Sequence, residues 1–363
     1  MTIPFLDLAA ASREVAADQA VAIDRVVASG WYVLGPEVER FERAFADHVG
    51  ADHCVGVANG LDALRLSLEA LGIGPGDEVI VPSHTFIATW LAVSATGARP
   101  VPVEPVPGSY VIEVAAVEAA ITARTAAILP VHLYGQPADM PALARLAARR
   151  SLALVADAAQ AHGARVGGHP VGAWGDASSW SFYPAKNLGA LGDGGAITTD
   201  DAALAARLRR LRNYGSDEKY VHLEQGANSR LDELQAAVLR VRLARLDADN
   251  AVRSELAARY LEKLRATSLR LPVIAEGRTQ TWHQFVVRTP QRDELRAYLE
   301  QHGVLAGVLY PVPIHRQPAY HKADLTLPVT EQACAEVLSL PLHPGLTVAD
   351  VDTVCAHILA WTG

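Results

Sequence analysis

The chain has 363 residues, half of them hydrophobic, with 40 acidic against 32 basic side chains and a net charge of −8 at neutral pH. That length supports one large core with a smaller companion, and the acidic balance, with no basic run or aromatic–basic stripe, argues against a nucleic acid held through its phosphates. Cys54, Cys334 and Cys355 are odd in number and set in apolar surroundings, so they read as packed free thiols in a reducing compartment rather than a disulfide framework or zinc site. The opening Met-Thr-Ile-Pro-Phe-Leu-Asp-Leu lacks the basic region and apolar run of a signal peptide, and the apolar stretch from Phe86 to Val93 is too short to span a bilayer. The expectation is a cytoplasmic protein with no membrane partner.

Strand and helix patterns alternate through the first two thirds of the chain, which is an α/β signature. A helix is predicted over Val38 to Val49, a strand at Cys54 to Ala58, a turn at Asn59-Gly60, and a helix from Leu61 to Leu71 with Leu61, Leu64, Leu68 and Leu71 on one face. Further strands follow at Glu78 to Val81, Val101 to Val103, Ala126 to Pro130, Leu152 to Ala156, Ser178 to Phe182 and Ala196 to Thr199, most separated by helical segments. A mainly parallel, doubly wound sheet results. From Ser229 to about Arg265 the pattern is almost continuously helical with no Gly or Pro, as suits a connector, and the boundary between a large domain, 1–245, and a small one, 246–363, is placed within it. The remainder reads as a small α+β unit, with a strand at Gln284 to Arg288, a helix at Arg292 to His302, a strand at Val304 to Tyr310 and a helix after Thr347.

Chemistry-bearing residues fall at the predicted strand ends. Asn59-Gly60 opens a helix, so the backbone N–H groups of Gly60 and Leu61 offer a phosphate site; taken alone, the same turn reads first as an ordinary strand-to-helix connection. Asp157 ends an apolar strand, where it serves equally as a helix cap or as a carboxylate that keeps the ring nitrogen of pyridoxal phosphate protonated. Lys186 lies just past another strand in a glycine-rich turn, the place of a Schiff-base lysine that also moves protons, although a solvated loop lysine is the usual fate of that residue. The three share one sheet edge, the edge at which ligands collect in such folds. Their convergence favours the cofactor reading.

Over essentially its whole length the chain resembles the pyridoxal-phosphate-dependent sugar aminotransferases of the DegT/StrS type, within aminotransferase fold type I. The resemblance rests on Val57-Ala-Asn-Gly-Leu-Asp-Ala-Leu64, Pro82-Ser-His-Thr-Phe-Ile-Ala-Thr89, Pro130-Val-His-Leu-Tyr-Gly135, Asp157-Ala-Ala-Gln-Ala-His-Gly163, the run Ser181 to Gly195, and Asn228-Ser-Arg-Leu-Asp-Glu-Leu-Gln235. It implies that Phe86 stacks on the cofactor ring, Gln160 lies beside its phenolic oxygen and Ser181 donates to its phosphate. It also implies that Asn228 reaches the phosphate of a neighbouring subunit, making the functional unit a homodimer. Leu61 stands where many relatives carry Thr, so one hydroxyl contact to phosphate is missing.

Most of the family passes the amino group of L-glutamate, which leaves as 2-oxoglutarate, to a keto-sugar nucleotide. Dehydrating relatives carry His at the lysine position, so Lys186 favours transamination. Asn59-Gly-Leu-Asp62, His84-Thr-Phe-Ile-Ala-Thr-Trp-Leu-Ala-Val93 and Asn213-Tyr-Gly-Ser-Asp-Glu-Lys-Tyr220 look like the subgroup that aminates C3 of dTDP-linked 3-keto-6-deoxyhexoses. In that subgroup Tyr183, Lys219 and His315 are expected near the hexose or the diphosphate. His132 and His162 receive no role. Two other readings stay open: amination at C4 of a UDP- or dTDP-linked keto-sugar, and a non-catalytic regulator that keeps the fold.

Overall fold

Seven short runs of small and β-branched residues make the central sheet of the structure, a computed structural model that describes residues 2–320 and 324–362. They are His53–Val57 (β1), Glu78–Pro82 (β2), Arg99–Val103 (β3), Thr125–Ile128 (β4), Ala153–Asp157 (β5), Ala177–Ser181 (β6) and Gly195–Thr199 (β7). Their spatial order is β1-β7-β6-β5-β4-β2-β3. The block from β6 to β3 is parallel, while β7 runs antiparallel to both β6 and β1. Two reversals restore direction, so β1 points the same way as the parallel block. The carboxyl ends of every strand but β7 therefore meet along one edge.

Burial along the strands is continuous rather than alternating; every residue of β2 and of β7 is buried, as in a sheet covered on both faces. The pleat sends Val79 and Val81 into a core with Leu64, Leu68 and Trp90, and Ile80 into one with Ile128, Leu143 and Leu146. Beneath β6, Phe45 meets Trp180 and Phe182 edge-to-face with centroids 5.2 Å apart, and Phe41 meets Phe182 in the same way at 5.2 Å. Such pairs add about 0.5–1.5 kcal/mol each beyond their burial. They clamp helix Pro36–Val49 under the strand that ends in the lysine turn.

A second sheet pairs Phe285–Arg288 (β8) antiparallel with Val337–Leu340 (β9), over a core of Leu256, Tyr260, Phe285, Leu295, Leu338 and Ile358 that also takes in Ile3. The strand expected from Val304 to Tyr310 is not formed. That segment makes single bridges to two different partners, Val304 to Ile3 and Gly307 to Ser339, and Gly307 lies so close to the Phe5 ring that a Cβ would approach it to 2.8 Å. Continuous pairing with one neighbour is thereby prevented, and β9 occupies the place beside β8. The helix expected over Ser229 to Arg265 divides into Glu233–Leu243 and Leu246–Leu264. The division follows the packing: Leu239 and Leu246 bury with the large sheet, whereas Leu256 and Tyr260 bury with the small one.

Candidate active site

A cleft of about 460 Å³ opens at the carboxyl edge of the large sheet. β1 delivers Asn59 and Gly60 to its floor. Asn59 caps helix Gly60–Ala70 by accepting from Asp62 N at 2.8 Å, while Ala63 N bonds to Asn59 O at 3.0 Å. The N–H groups of Gly60 and Leu61 come before the first intrahelical bond, so they remain unspent at the positive end of the helix dipole. Ser181, at the end of β6, stands against this turn; a Cβ on Gly60 would lie 2.6 Å from Ser181 Cβ and 3.2 Å from its Oγ. Gly60 is the residue that lets hydroxyl and helix terminus share one small space.

Asp157 ends β5 and is 7 % exposed. Its Oδ2 accepts from Thr89 Oγ1 at 3.0 Å and its Oδ1 from Ala159 N at 3.2 Å. Burial raises its pKa above the usual carboxylate value, against the pull of the Ala159 N–H, of Lys186 and of Thr89. Lys186 follows β6 on a turn closed by its own N–H to Tyr183 O at 2.8 Å, and the next side chain pins that turn, Asn187 Nδ2 donating to Asn250 Oδ1 and Thr281 O, both at 2.8 Å. Loss of water lowers the Lys186 pKa from 10.5 to about 8, with the Asp157 charge acting in the opposite sense. Among the described residues its ammonium has no ion-pair partner, although the two groups line one cavity.

Gln160 Oε1 accepts from Tyr134 N at 2.7 Å, which fixes the amide so that Nε2 turns to Tyr310 Oη at 3.2 Å. Tyr134 holds this position at φ +59°, a backbone geometry that a non-glycine residue keeps only under constraint. The constraint is a buried network: Tyr134 Oη also donates to Leu309 O and contacts His84 Nε2 at 2.9 Å. Phe86, half exposed, leans over the cleft with its ring 5.4 Å from that of Tyr310.

Gly60, Leu61, Phe86, Asp157, Gln160, Ser181, Tyr183 and Lys186 thus line one cleft. Asn228 and Lys219 lie on exposed surface of the same chain, Lys219 beside the Tyr220 ring at 5.0 Å, and neither reaches that cleft. His315 is not brought to it either. It is fully buried in the turn Ile314–Arg316, and its Nε2 is spent on Glu331 Oε1 at 2.8 Å. His132 takes Ala138 N on its Nδ1 at 3.1 Å, and His162 packs among Phe45, Trp180 and Phe182. Arg253, His283 and Tyr310 line the cleft without having been marked in the sequence, and Thr89 supports Asp157 from within a motif that was. The first three come from distant parts of the chain and stand in no local pattern that marks chemistry.

The residues present fit pyridoxal phosphate. The unspent N–H groups beside Ser181 suit its phosphate, the buried Asp157 carboxylate suits a protonated ring nitrogen, Phe86 offers a ring face, and Lys186 offers an unpaired amine. Fold and site together define a pyridoxal-phosphate enzyme of aminotransferase fold type I. The family signature agrees: residues 13–359 match the DegT/DnrJ/EryC1/StrS aminotransferase family, and the chain belongs to it. It is 57 % identical to a dTDP-3-amino-3,4,6-trideoxy-alpha-D-glucose transaminase of Streptomyces venezuelae, covering 99 % of this chain and 96 % of that one. It is 50 % identical to a dTDP-3-amino-3,6-dideoxy-alpha-D-galactopyranose transaminase of Aneurinibacillus thermoaerophilus, covering 97 % of each. Among solved structures, S. venezuelae DesV in complex with a ketimine intermediate superposes with a TM-score of 0.98 at 55 % identity, covering 99 % of this chain and 98 % of the other.

Proposed function

We propose that this enzyme transfers the amino group of L-glutamate to C3 of a dTDP-linked 3-keto-6-deoxyhexose, giving a dTDP-3-amino-3,6-dideoxyhexose or a related 3-amino deoxysugar. The observation that carries the reading is full-length identity of 57 % and 50 % to two transaminases named for 3-amino products, on a cleft whose lysine and aspartate are intact. The same intact pair supports a catalyst over a regulator.

When bound, pyridoxal phosphate supplies the electron sink that lets the carbon beside the nitrogen be deprotonated. The chain supplies the rest. Lys186 Nζ, its pKa lowered to about 8, would hold the cofactor at its aldehyde and would take and return the proton at the substrate carbon beside the nitrogen. Asp157 would keep the ring nitrogen protonated. Gln160 Nε2, oriented by Tyr134, would donate to the phenolic oxygen, and Phe86 would cover one ring face.

Among the described residues, the Lys and Arg side chains lining one chain's cleft are Lys186, proposed to hold the cofactor, and Arg253, buried and tethered to the carbonyls of Trp282 and Leu342. Exposed apolar residues near the candidate partner-reaching groups, among them Trp31, Tyr32, Tyr214, Leu223 and Leu234, suit an isologous contact. In the homodimer proposed here, Asn228 reaches the phosphate of the partner's cofactor, and Lys219 accompanies it to the diphosphate.

The test is incubation of the protein, loaded with pyridoxal phosphate, with glutamate and either 3-keto or 4-keto dTDP-sugars, followed by NMR assignment of the amine. Nitrogen on C3 is expected. Nitrogen on C4, with no reaction of 3-keto substrates, overturns the regiochemistry, and a protein that stays colourless with added pyridoxal phosphate overturns the catalytic reading.

A further inference from the structure

His283 lies in the cleft wall with Lys186 and is 7 % exposed. The backbone that presents it is held in an uncommon geometry. Trp282, the residue before it, sits at φ +51°, where a side chain is kept only under constraint. Arg253 Nη1 donates to the Trp282 carbonyl at 3.2 Å, Thr281 N bonds to Gly135 O at 3.1 Å, and the Trp282 ring stacks on Phe285 with centroids 5.6 Å apart. Strain held by that many contacts marks a neighbouring side chain whose direction matters.

The tautomer of the imidazole is fixed by a chain of amides anchored on main-chain carbonyls. Asn250 Nδ2 donates to His162 O at 2.9 Å, in space left by Gly163, where a Cβ would approach that nitrogen to 2.8 Å. Asn250 Oδ1 therefore accepts, and Asn187 Nδ2 donates to it and to Thr281 O, both at 2.8 Å. Turning either amide over would set its oxygen against a carbonyl oxygen. Asn187 Oδ1 is left as an acceptor, so its 3.1 Å contact with His283 Nδ1 requires the proton on Nδ1. Nε2 then carries a lone pair, on the ring edge away from Asn187, and makes no hydrogen bond among the described residues. Burial, with the charges of Lys186 and Arg253, holds the ring neutral by keeping its pKa well below 6.5. A ring so hard to protonate is a poor base and a good fixed acceptor. Asn187 directly follows Lys186, so the amide that pins the lysine turn also sets the histidine's lone pair.

We propose that His283 is a positioning residue for Lys186, its Nε2 accepting a hydrogen bond from the Nζ amine whenever that amine is free. A free lysine amine rotates about its last bond, and only one setting aims its lone pair at the substrate carbon. Holding one N–H selects that setting. This rests on the reading of Lys186 as the proton carrier.

The first test needs no His283 variant. Pyridoxamine phosphate, which carries an amine in place of the aldehyde, cannot link to Lys186, and in the protein loaded with it nitrogen-15 NMR of labelled histidine reads the ring directly. The expected spectrum shows His283 protonated on Nδ1 alone, with an Nε2 resonance that shifts when Lys186→Ala removes the donor. A proton on Nε2, or an Nε2 resonance indifferent to K186A, overturns the proposal. A K186A enzyme that turned over normally would sink the carrier reading instead. The second test is kinetic. Asn stands in for the Nδ1 side of a histidine and Gln for the Nε2 side, so H283N keeps the tie to Asn187 and loses the cleft acceptor. In single turnovers with glutamate deuterated at the α-carbon, H283N should lower the rate constant about 10–100-fold, the scale of a misaimed reacting group, with the apparent Kd changed less than about threefold and a larger isotope effect. H283Q should recover most of the rate. A purely structural histidine gives the reverse order, H283N near the parent and H283Q impaired, and that result, or a loss of affinity alone, overturns the assignment. If the parent does not react with glutamate, the donor reading fails and the NMR comparison still decides the role of His283.

Discussion

At the scale of single residues, the site turns on a carboxylate that burial disfavours and the fold keeps. Asp157→Asn preserves shape and the bond from Ala159 N, and Thr89 can turn its hydroxyl to accept from the new amide. The charge proposed to keep the ring nitrogen protonated is lost. Removal of one preorganised electrostatic group typically costs a factor of about 100–1,000 in kcat, so a fall of that order is expected, with unfolding free energy changed by less than about 1 kcal/mol because a desolvated charge has been removed. Steady-state kinetics and urea unfolding on the same samples check both halves. Normal kinetics would reassign Asp157 to capping. Asp157, Lys186 and Gly60 were legible in the sequence because strand ends of one sheet edge mark themselves by apolar runs that stop at a polar residue or a glycine. Arg253 sits in a helix whose pattern it does not disturb, and His283 and Tyr310 come from segments with no chemical signature. Their meaning depends on which cavity wall they join, and that is a tertiary fact.

At the scale of elements, helix Pro36–Val49 starts at Gly35, which has no side chain to cap it. Glu233, 1 % exposed at the start of the helix Glu233–Leu243, supplies the cap across the fold. Its Oε1 accepts from Gly35 N at 2.8 Å and Val38 N at 2.9 Å, and its Oε2 from Glu37 N at 2.9 Å. Glu233→Ala orphans those donors and should cost about 2–4 kcal/mol, the sum of a lost cap and buried unsatisfied groups. Glu233→Gln, which keeps one acceptor, should cost less. Shifts of the urea midpoint at constant m-value measure this, and an Ala variant within about 0.5 kcal/mol of the parent contradicts the capping role. No local motif announces such a cap, since it joins residues 198 apart. Elements set by local pattern, β1 to β7 among them, were readable to within a residue or two. Val304 to Tyr310 carries a strand-like pattern but is divided between Ile3 and Ser339, and only the three-dimensional neighbours decide that.

At the scale of the whole molecule, the pKa values of several buried histidines and the proposed shared site make separate predictions. Burial lowers the pKa of His84 from 6.5 to about 4, and those of His132 and His162 to about 3. Below pH 6.5 the unfolded chain binds protons that the folded chain refuses, so their stabilising contribution is present above that pH and is lost as pH falls toward 4 and then 3. Each site contributes at most about 1.4 kcal/mol per pH unit. Urea midpoints should therefore fall steeply between pH 6.5 and 4, and a flat profile there contradicts the assignment. The shared site is tested by subunit exchange. Lys186 and Asn228 face different surfaces of one chain, the cleft and exposed surface respectively, so in the proposed isologous dimer each site takes its lysine from one chain and its Asn228 from the other. A Lys186→Ala chain should be inactive at its own lysine site, and an Asn228→Ala chain should weaken cofactor binding in its partner's. In the heterodimer both lesions fall in one site and the other is wild type. Random exchange of equal amounts makes half of the dimers mixed, so about one quarter of all sites, and about one quarter of parental activity, should be recovered. Native mass spectrometry confirms the exchange. Exchange without recovery, or an active species that is monomeric by light scattering, rules out a site shared between two copies of the chain.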